Sequence, residues 1–300
     1  MLTIFTPTYN RAHLLPRLYK SLQHQDCFDF EWLVINDGST DNTEVLFSEW
    51  QKQDNSFPIR YFRVNNGGKQ RAINKALELA KGEYFFIVDS DDMLVPDAIS
   101  FVLNSFQTLP NDNSFIGISG VKGDLDGKPL HRMPQINSET GFIDANNIER
   151  PKYGLQADMA ELFLTSKLKK YCFPVWKGEK FVPEAVVWDQ MALDGYRLRW
   201  FDKVIYLCEY QPDGLTNSSW RLLKNNPMGY AQLFNIKLKS VHGLKRRLNL
   251  ILQFLSCCFI GGNYNYIGKC HDKYAAYLLL PIGWLLSIRR KKQFQKHCDE

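Results

Sequence analysis

With 300 residues, of which 45% are hydrophobic, 14% aromatic and 23% charged, the chain can bury the core of one large domain or two small ones, and a disordered or fibrous protein is excluded. The net charge of +5 is uneven: residues 221–300 hold 14 Lys or Arg against 3 Asp or Glu, net +11, and the first 220 hold 23 against 29, net −6. A mildly acidic body with a basic end predicts that this end meets an anionic surface.

The opening "MLTIFTPTYN" reaches a turn before any long apolar run, which is not a secretory pattern. The seven cysteines include no CxxC pair, so reduced thiols in a cytosolic protein are expected over disulfides or zinc. "LTIFTPTY" predicts a strand, and "RAHLLPRLYKSLQHQ" a helix with Leu14, Leu15, Leu18 and Leu22 on one side. "EWLVIND" predicts a second strand ended by Gly38. Thr40 or Asp41 can cap a helix holding Val45, Leu46 and Trp50. "IRYFRV" predicts a third strand ended by "NNGG", "KQRAINKALELAKG" a helix closed by Gly82, and "YFFIVDSD" a fourth strand, after which Pro96 opens another helix. This alternation predicts an α/β protein with a mainly parallel sheet flanked by helices. Ligands of such sheets bind outside the carboxyl ends of the strands, where Thr8, Asn10, Asp37, Asn65 and Asp89 fall.

From about 111 to 225 the pattern is less regular. "FIGISGV" and "RLRWFDKVIYLCEY" read as strands, "DMAELFLTSKLKKY" as a helix, and the Asn, Asp and Gly clusters between them as loops over a site. From about 226 the chain reads as helical. In "LKRRLNLILQFLSCCFIGG" the polar residues Asn249, Gln253 and Ser256 fall on one stripe and the other faces read as apolar. "AAYLLLPIGWLLSI" (275–288) contains Pro281, is followed by "RRKK", and is too short to span a bilayer alone. It predicts an interfacial or shallow re-entrant segment; the alternative is an ordinary buried helix pair. Basic residues beside apolar runs suit lipid better than nucleic acid.

The chemistry concentrates in "VDSDDML" (88–94). Asp89, Asp91 and Asp92 crowd a strand end, where neighbouring carboxylates are costly unless a cation neutralises them. Mg²⁺ or Mn²⁺, held by one or two carboxylates and a substrate diphosphate, would do so. The alternative is a set of acids that only caps the next helix. No "GKS/T" loop and no "GxGxxG" is present, so P-loop and dinucleotide readings fail.

"TPTYNR" (6–11), "INDGSTDNT" (35–43), "NNGGKQRAINKAL" (65–77) and "VDSDDML" occur in this order and spacing. Together they resemble the inverting family 2 glycosyltransferases, strongly over 1–110 and loosely over 111–220. The resemblance implies the Rossmann-like GT-A fold with a C-terminal helical extension, and a nucleotide-sugar donor, most often UDP-linked. It places Thr6, Pro7 and Tyr9 along the uridine, Asp37 on the uracil edge, and Asp89 with Ser90 at the ribose. Asp91 becomes the metal ligand, with Asp92 as its helper, and Lys69 reaches the phosphates. Many relatives read Ala-Arg-Asn where this chain has Ala72-Ile73-Asn74, so Lys69 or Arg71 is expected to supply that charge. The base comes by resemblance from an acid in "KFVPEAVVWDQMALDGY" (180–196), which lacks the usual Glu-Asp pair. Asp189, expected at a helix start, is favoured over Glu184, and Trp188 either stacks on a sugar or fills core.

The expectation is a catalytic domain over 1–225, with a donor half (1–110) and an acceptor half (111–225), followed by a membrane-associating region over 226–300. It would transfer a sugar with inversion to a glycan or polyprenol-linked acceptor in the making of a bacterial surface polysaccharide, as a cytoplasmic protein peripheral on the inner face of the plasma membrane. The alternative is a catalytically silent module that binds a nucleotide or a partner.

Overall fold

The computed structural model describes residues 1–299 apart from 132, 135, 137, 138, 156, 157 and 210–218. The chain divides into two compact units, Met1–Cys172 with Asp194–Glu209, and Phe173–Leu193 with Tyr210–Glu300.

The first unit is built on β1 (Leu2–Thr8), β2 (Phe30–Asn36), β3 (Ile59–Arg63), β4 (Tyr84–Ile87), β5 (Met93–Leu94), β6 (Phe115–Gly123), β7 (Ile143–Ala145), β8 (Met159–Leu164) and β9 (Arg197–Leu207). They form one sheet in the order β3-β2-β1-β4-β8-β6-β9-β5, with β7 on β9. β1, β2, β3 and β4 run parallel, and β6 is parallel to β9; β8, β5 and β7 oppose their neighbours. The sheet is therefore mixed and mainly parallel.

α1 (Leu15–Gln23), α2 (Thr43–Trp50), α3 (Lys69–Leu79), α4 (Ala98–Gln107) and the single turn α5 (Thr165–Leu168) connect these strands. β1 and β2 are buried on both faces, which is why they read as unbroken apolar runs. Leu2, Ile4, Trp32 and Val34 share one face with Leu15, Leu18 and Leu22 of α1, Phe47 and Trp50 of α2, and Val102 of α4. On the other face α3 packs against β1 and β2, and Phe5 stacks on Phe85 with ring centres 5.6 Å apart. α2 starts at Thr43, where Asp41 accepts the Thr43 N–H at 3.1 Å.

Three features depart from the sequence expectations. "DMAELFLTSKLKKY" is the strand β8 followed by one helical turn, not a helix. Met, Ala, Glu and Leu favour helix, but Leu162 pairs with Phe86 of β4 on one side and Ile118 of β6 on the other, and two ladders override propensity. The helix after Pro96 begins at Ala98, behind Asp97. The strand "RLRWFDKVIYLCEY" holds from Arg197 to Leu207, and its last expected residue, Tyr210, lies outside the described residues.

The second unit is helical: α6 (Ala185–Leu193), α7 (Ser219–Asn225), α8 (Pro227–Leu238), α9 (Leu244–Ile260), α10 (Lys273–Leu278) and α11 (Leu280–Asp299). Met228, Ala231, Phe254, Leu255, Cys257, Cys258 and Ala276 form one of its cores. Two side chains tie the segment before α6 to α8. The buried Glu179 carboxylate accepts the Met228 and Gly229 N–H groups at 2.7 and 2.9 Å, capping α8, and Asn226 Oδ1 accepts the Lys180 and Phe181 N–H groups at 2.8 and 2.9 Å. Among the described residues no helix is long and apolar enough to cross a membrane.

Candidate active site

The polar residues that end β1, β2 and β4 first organise one another. Asn10, at φ 53°, donates its N–H to Ser39 Oγ at 2.9 Å, and its side-chain oxygen accepts the Thr40 N–H at 2.8 Å. Asp41 Oδ2 accepts the Ala12 N–H at 2.9 Å. Gly38, at φ 78°, lies so close to the next loop that a Cβ would sit 2.9 Å from Asn66 N. Two loops far apart in sequence thus become one rim at the carboxyl edge of the sheet.

Asp37 fastens the third loop. Its Oδ1 accepts the Gly67 N–H at 2.7 Å and its Oδ2 the Gly68 N–H at 2.8 Å, with Asn66 Nδ2 at 3.3 Å. Gly68, at φ 94°, leads directly into α3. The carboxylate expected on a uracil edge is therefore already engaged in shaping the loop that carries Lys69.

Lys69, in the first turn of α3, reaches across to Asp89 past the end of β4, with Nζ 2.7 Å from Oδ1 and 3.0 Å from Oδ2. Burial alone would push the Asp89 carboxyl up; Lys69, and Lys122 at longer range, override it and hold the group below its ordinary value. Asp91 and Asp92 behave differently. Burial first, then the Asp89 charge, pushes Asp91 up, and the same causes push Asp92 up to about 7. The positive charges of Lys69, Lys122 and Arg11 all bear on the three clustered carboxyls, yet Asp91 and Asp92 remain drawn toward protonation.

Tyr206 of β9 staples this turn. Its hydroxyl accepts the Asp89 N–H at 3.0 Å and donates to Asp92 Oδ2 at 2.6 Å. Burial, then Asp92, raises the phenol well above its ordinary value, so it stays a donor. Lys122 of β6, the register partner of Tyr206, lies 4.4 Å above its ring. From the other side Arg17 of α1 donates to the Asp91 carbonyl oxygen and pairs with Glu209 at 2.9 Å. Sequence reasoning missed Tyr206, Lys122 and Arg17. Their signal is only that each ends or flanks an element bordering the strand edge.

The remaining expected residues divide. The Thr6 side chain is fully buried, its hydroxyl accepting the Trp32 indole N–H at 3.0 Å. Pro7 is partly buried, and Tyr9 is exposed at the rim. Ser90 is buried between Asp89 and Asp91. Arg71 folds back onto the Gly67 carbonyl oxygen. Asp189 and Glu184 belong to the helical unit. Asp189 is buried in the middle of α6 rather than at its start, because α6 begins at Ala185, and Glu184 immediately precedes the helix. Trp188 packs edge-on against Phe173, with ring centres 5.7 Å apart.

Among the described residues no three His, Cys, Asp or Glu side chains converge to enclose an ion. The donor chemistry nevertheless fits Mg²⁺ or Mn²⁺. Asp91, partly exposed, offers carboxylate oxygens beside the buried Asp92, and such ions take one or two carboxylates and complete their shells with phosphate and water.

The profile of glycosyl transferase family 2 matches residues 3–172, more than half of the chain. A Campylobacter jejuni GalNAc(5)-diNAcBac-PP-undecaprenol beta-1,3-glucosyltransferase is 36% identical over 144 residues, 46% of each chain. S. aureus TarS 1-349 in complex with UDP-GlcNAc superposes with a TM-score of 0.60 at 16% identity, over 97% of this chain and 91% of that one. The mannosyltransferase PcManGT from Pyrobaculum calidifontis, in complex with GDP-Man and Mn2+, gives 0.55 at 19% identity, over 97% and 82%. The matched stretches span between 11 and 58% of the length of the first curated relatives. The mixed, mainly parallel sheet is the GT-A fold expected from the motifs. The chain belongs to glycosyl transferase family 2.

Proposed function

We propose that the protein transfers a sugar, with inversion, from a nucleotide-diphosphate sugar, UDP-linked, to a hydroxyl of a glycan or polyprenol-linked acceptor, in the assembly of a bacterial surface polysaccharide. The observation that carries this reading is the strand-edge cluster of Asp89, Asp91 and Asp92 with Lys69, in a chain whose family makes glycosidic bonds. The UDP-GlcNAc complex of TarS supports the donor class, and the undecaprenol-linked acceptor in the Campylobacter relative's name supports the acceptor class.

In this reading the loops carrying Tyr9, Asp37 and Gly67 cradle the nucleoside, and Ser90 and Asp89 approach the ribose. Lys69 divides its charge between Asp89 and the diphosphate, and Arg71 lies one helical turn from the same loop. Asp91 is the protein ligand of Mg²⁺ or Mn²⁺, and Asp92, held by Tyr206, fixes the turn that aims it. The bound ion would stabilise the charge growing on the departing nucleoside diphosphate. Asp189 takes the proton of the acceptor hydroxyl as its oxygen bonds to the anomeric carbon and the bond from that carbon to the diphosphate oxygen breaks. Glu184 is the competing base.

The test is a thermal-shift screen of nucleotide sugars with Mn²⁺, followed by release of the nucleotide from the best binder. A ligand that binds the folded chain raises its melting point by mass action. A UDP-sugar that stabilises only with metal, and is turned over to UDP, is the expected result. Stabilisation without turnover, with any acceptor, leaves the silent binding module instead.

A further inference from the structure

The last two helices keep one side packed and leave the other bare. In α11 the stripe Gly283, Ser287, Arg290 and Phe294 turns inward. A Cβ on Gly283 would lie 2.6 Å from Leu255 Cβ of α9, and Arg290 reaches Ser256 and Gln253 of α9. The opposite stripe is Ile282, Leu285, Arg289, Lys292 and Lys296, at helical spacings of three and four, and all but the apolar pair are basic. Ile282, Trp284 and Leu285 are more than half exposed, as are Tyr274 and Tyr277 of α10, and Leu278 is 83% exposed. Six large apolar side chains within twelve residues form a patch, not the scattered single residues normal on a surface.

Charge indicates what covers the patch. From Lys273 to Lys296 the chain has six Lys or Arg and no Asp or Glu, and only Arg290 among the six turns inward. We infer that the outer face of α10 and α11 docks the protein on an anionic lipid bilayer. The apolar end, Tyr274 to Leu285, sinks into the headgroup boundary, and Arg289, Lys291, Lys292 and Lys296 stay among the lipid phosphates. α11 has 20 residues, but its apolar part ends at Ile288, so it lies on the membrane rather than through it. The other apolar stretch plays no part: Phe254, Leu255, Cys257 and Cys258 of α9 are buried in the helical core. A protein partner or a second copy would also cover apolar surface, but a run of one sign without a single acid matches a headgroup layer better.

The test is co-sedimentation of the full chain with vesicles of phosphatidylcholine alone, or with about one-third phosphatidylglycerol, at low and high salt. The wild type should pellet with the anionic vesicles, weakly with the neutral ones, and less as salt screens the charges. Leu278→Glu with Leu285→Glu should weaken binding at least about tenfold, the effect of losing buried apolar side chains. Arg289→Glu with Lys292→Glu should lower anionic binding by about tenfold or more and leave neutral binding unchanged. Both variants should keep the wild-type melting point and UDP response, since all four positions are exposed. Equal binding to neutral and anionic vesicles, no binding to either, or variants that bind like the wild type would overturn the inference. So would a wild-type dimer that ignores vesicles and that Leu278→Glu with Leu285→Glu dissociates, because the face would then be a subunit contact.

Discussion

At the amino ends of β1 and β2 the carboxylate of Glu31 is buried with a full set of partners. Thr3 Oγ1 donates to it at 2.7 Å, the Lys81 N–H at 2.8 Å and Arg60 at 2.7 Å. At the carboxyl end of β4, Lys69 pairs with Asp89 and the Tyr206 hydroxyl donates to Asp92, with Asp91 crowded between them in the chain. Burial pushes both sets upward. For Glu31 the hydrogen bonds and Arg60 win, and it lies below its ordinary value; Asp91 and Asp92 lie above theirs. The same sheet thus completes a carboxylate where it needs stability and leaves carboxylates incomplete where a cationic ligand would complete them. Open α/β sheets place their ligands at this second edge.

Substitutions at the two edges should therefore fail in different ways. Asp91→Asn should lower turnover by about 10³-fold or more, roughly 4 kcal/mol, without lowering the melting point, because it removes one of several like charges. Mn²⁺-dependent UDP affinity and a thermal melt, measured side by side, check both halves. An Asp91→Asn protein that melts early but binds UDP with Mn²⁺ undiminished would reverse the comparison.

Glu31→Gln should do the opposite: donor affinity intact, stability lower by about 3 kcal/mol, since one partner of a buried ion pair is gone. The effect should depend on pH. Glu31 has a folded value below its unfolded one near 4.5, so its contribution is present above about pH 4.5 and is lost as the pH falls through the folded value. The stability gap between wild type and Glu31→Gln, read from denaturant melts, should shrink from pH 7 to pH 3. A gap constant across that range would mean that Glu31 contributes shape rather than charge.

Asp189→Asn sharpens the comparison from the helical unit. Turnover should fall about 10²-fold, the usual size of a general-base contribution, with donor binding unchanged. If Asp189→Asn is nearly wild type and Glu184→Gln is inactive, the base lies on the other side of the start of α6.

How much of this was legible depended on distance along the chain. β1, β2, α1 and α3 read correctly because strands buried on both faces are unbroken apolar runs and their helices repeat at 3.6 residues. β8 did not, because its ladder partners Phe86 and Ile118 lie far from Leu162 in sequence, while its own residues favour helix. The site divides similarly. Asp37, Lys69, Asp89 and Asp91 announce themselves in compact motifs. The hydrogen bond of Thr6 depends on Trp32, and the anchoring of Asp92 depends on a tyrosine 114 positions away, which no local pattern encodes.

That tyrosine gives the smallest effect. Tyr206→Phe keeps the ring, its edge-on packing against Phe86 and its contact with Lys122, and removes only the oxygen. Two partners then lose a hydrogen bond, the Asp89 N–H and Asp92 Oδ2, both at a buried turn. An unsatisfied buried group costs about 1–3 kcal/mol, and relaxation of the turn should hold the total near 1–2 kcal/mol. If Tyr206 acts only in stability, the melting point falls and nothing else changes. If it aims the Asp89–Asp92 turn at the donor, as proposed, the KM for the donor should also rise several-fold while the affinity for nucleotide without metal stays put, since the turn carries the proposed metal ligand and the Asp37 loop does not. Measuring KM and kcat separately, with the melt as a control for folding, decides between the two. A Tyr206→Phe protein that melts earlier with an unchanged KM would make the staple a matter of stability, and the carboxyl edge would then resemble the amino edge more than its charges suggest.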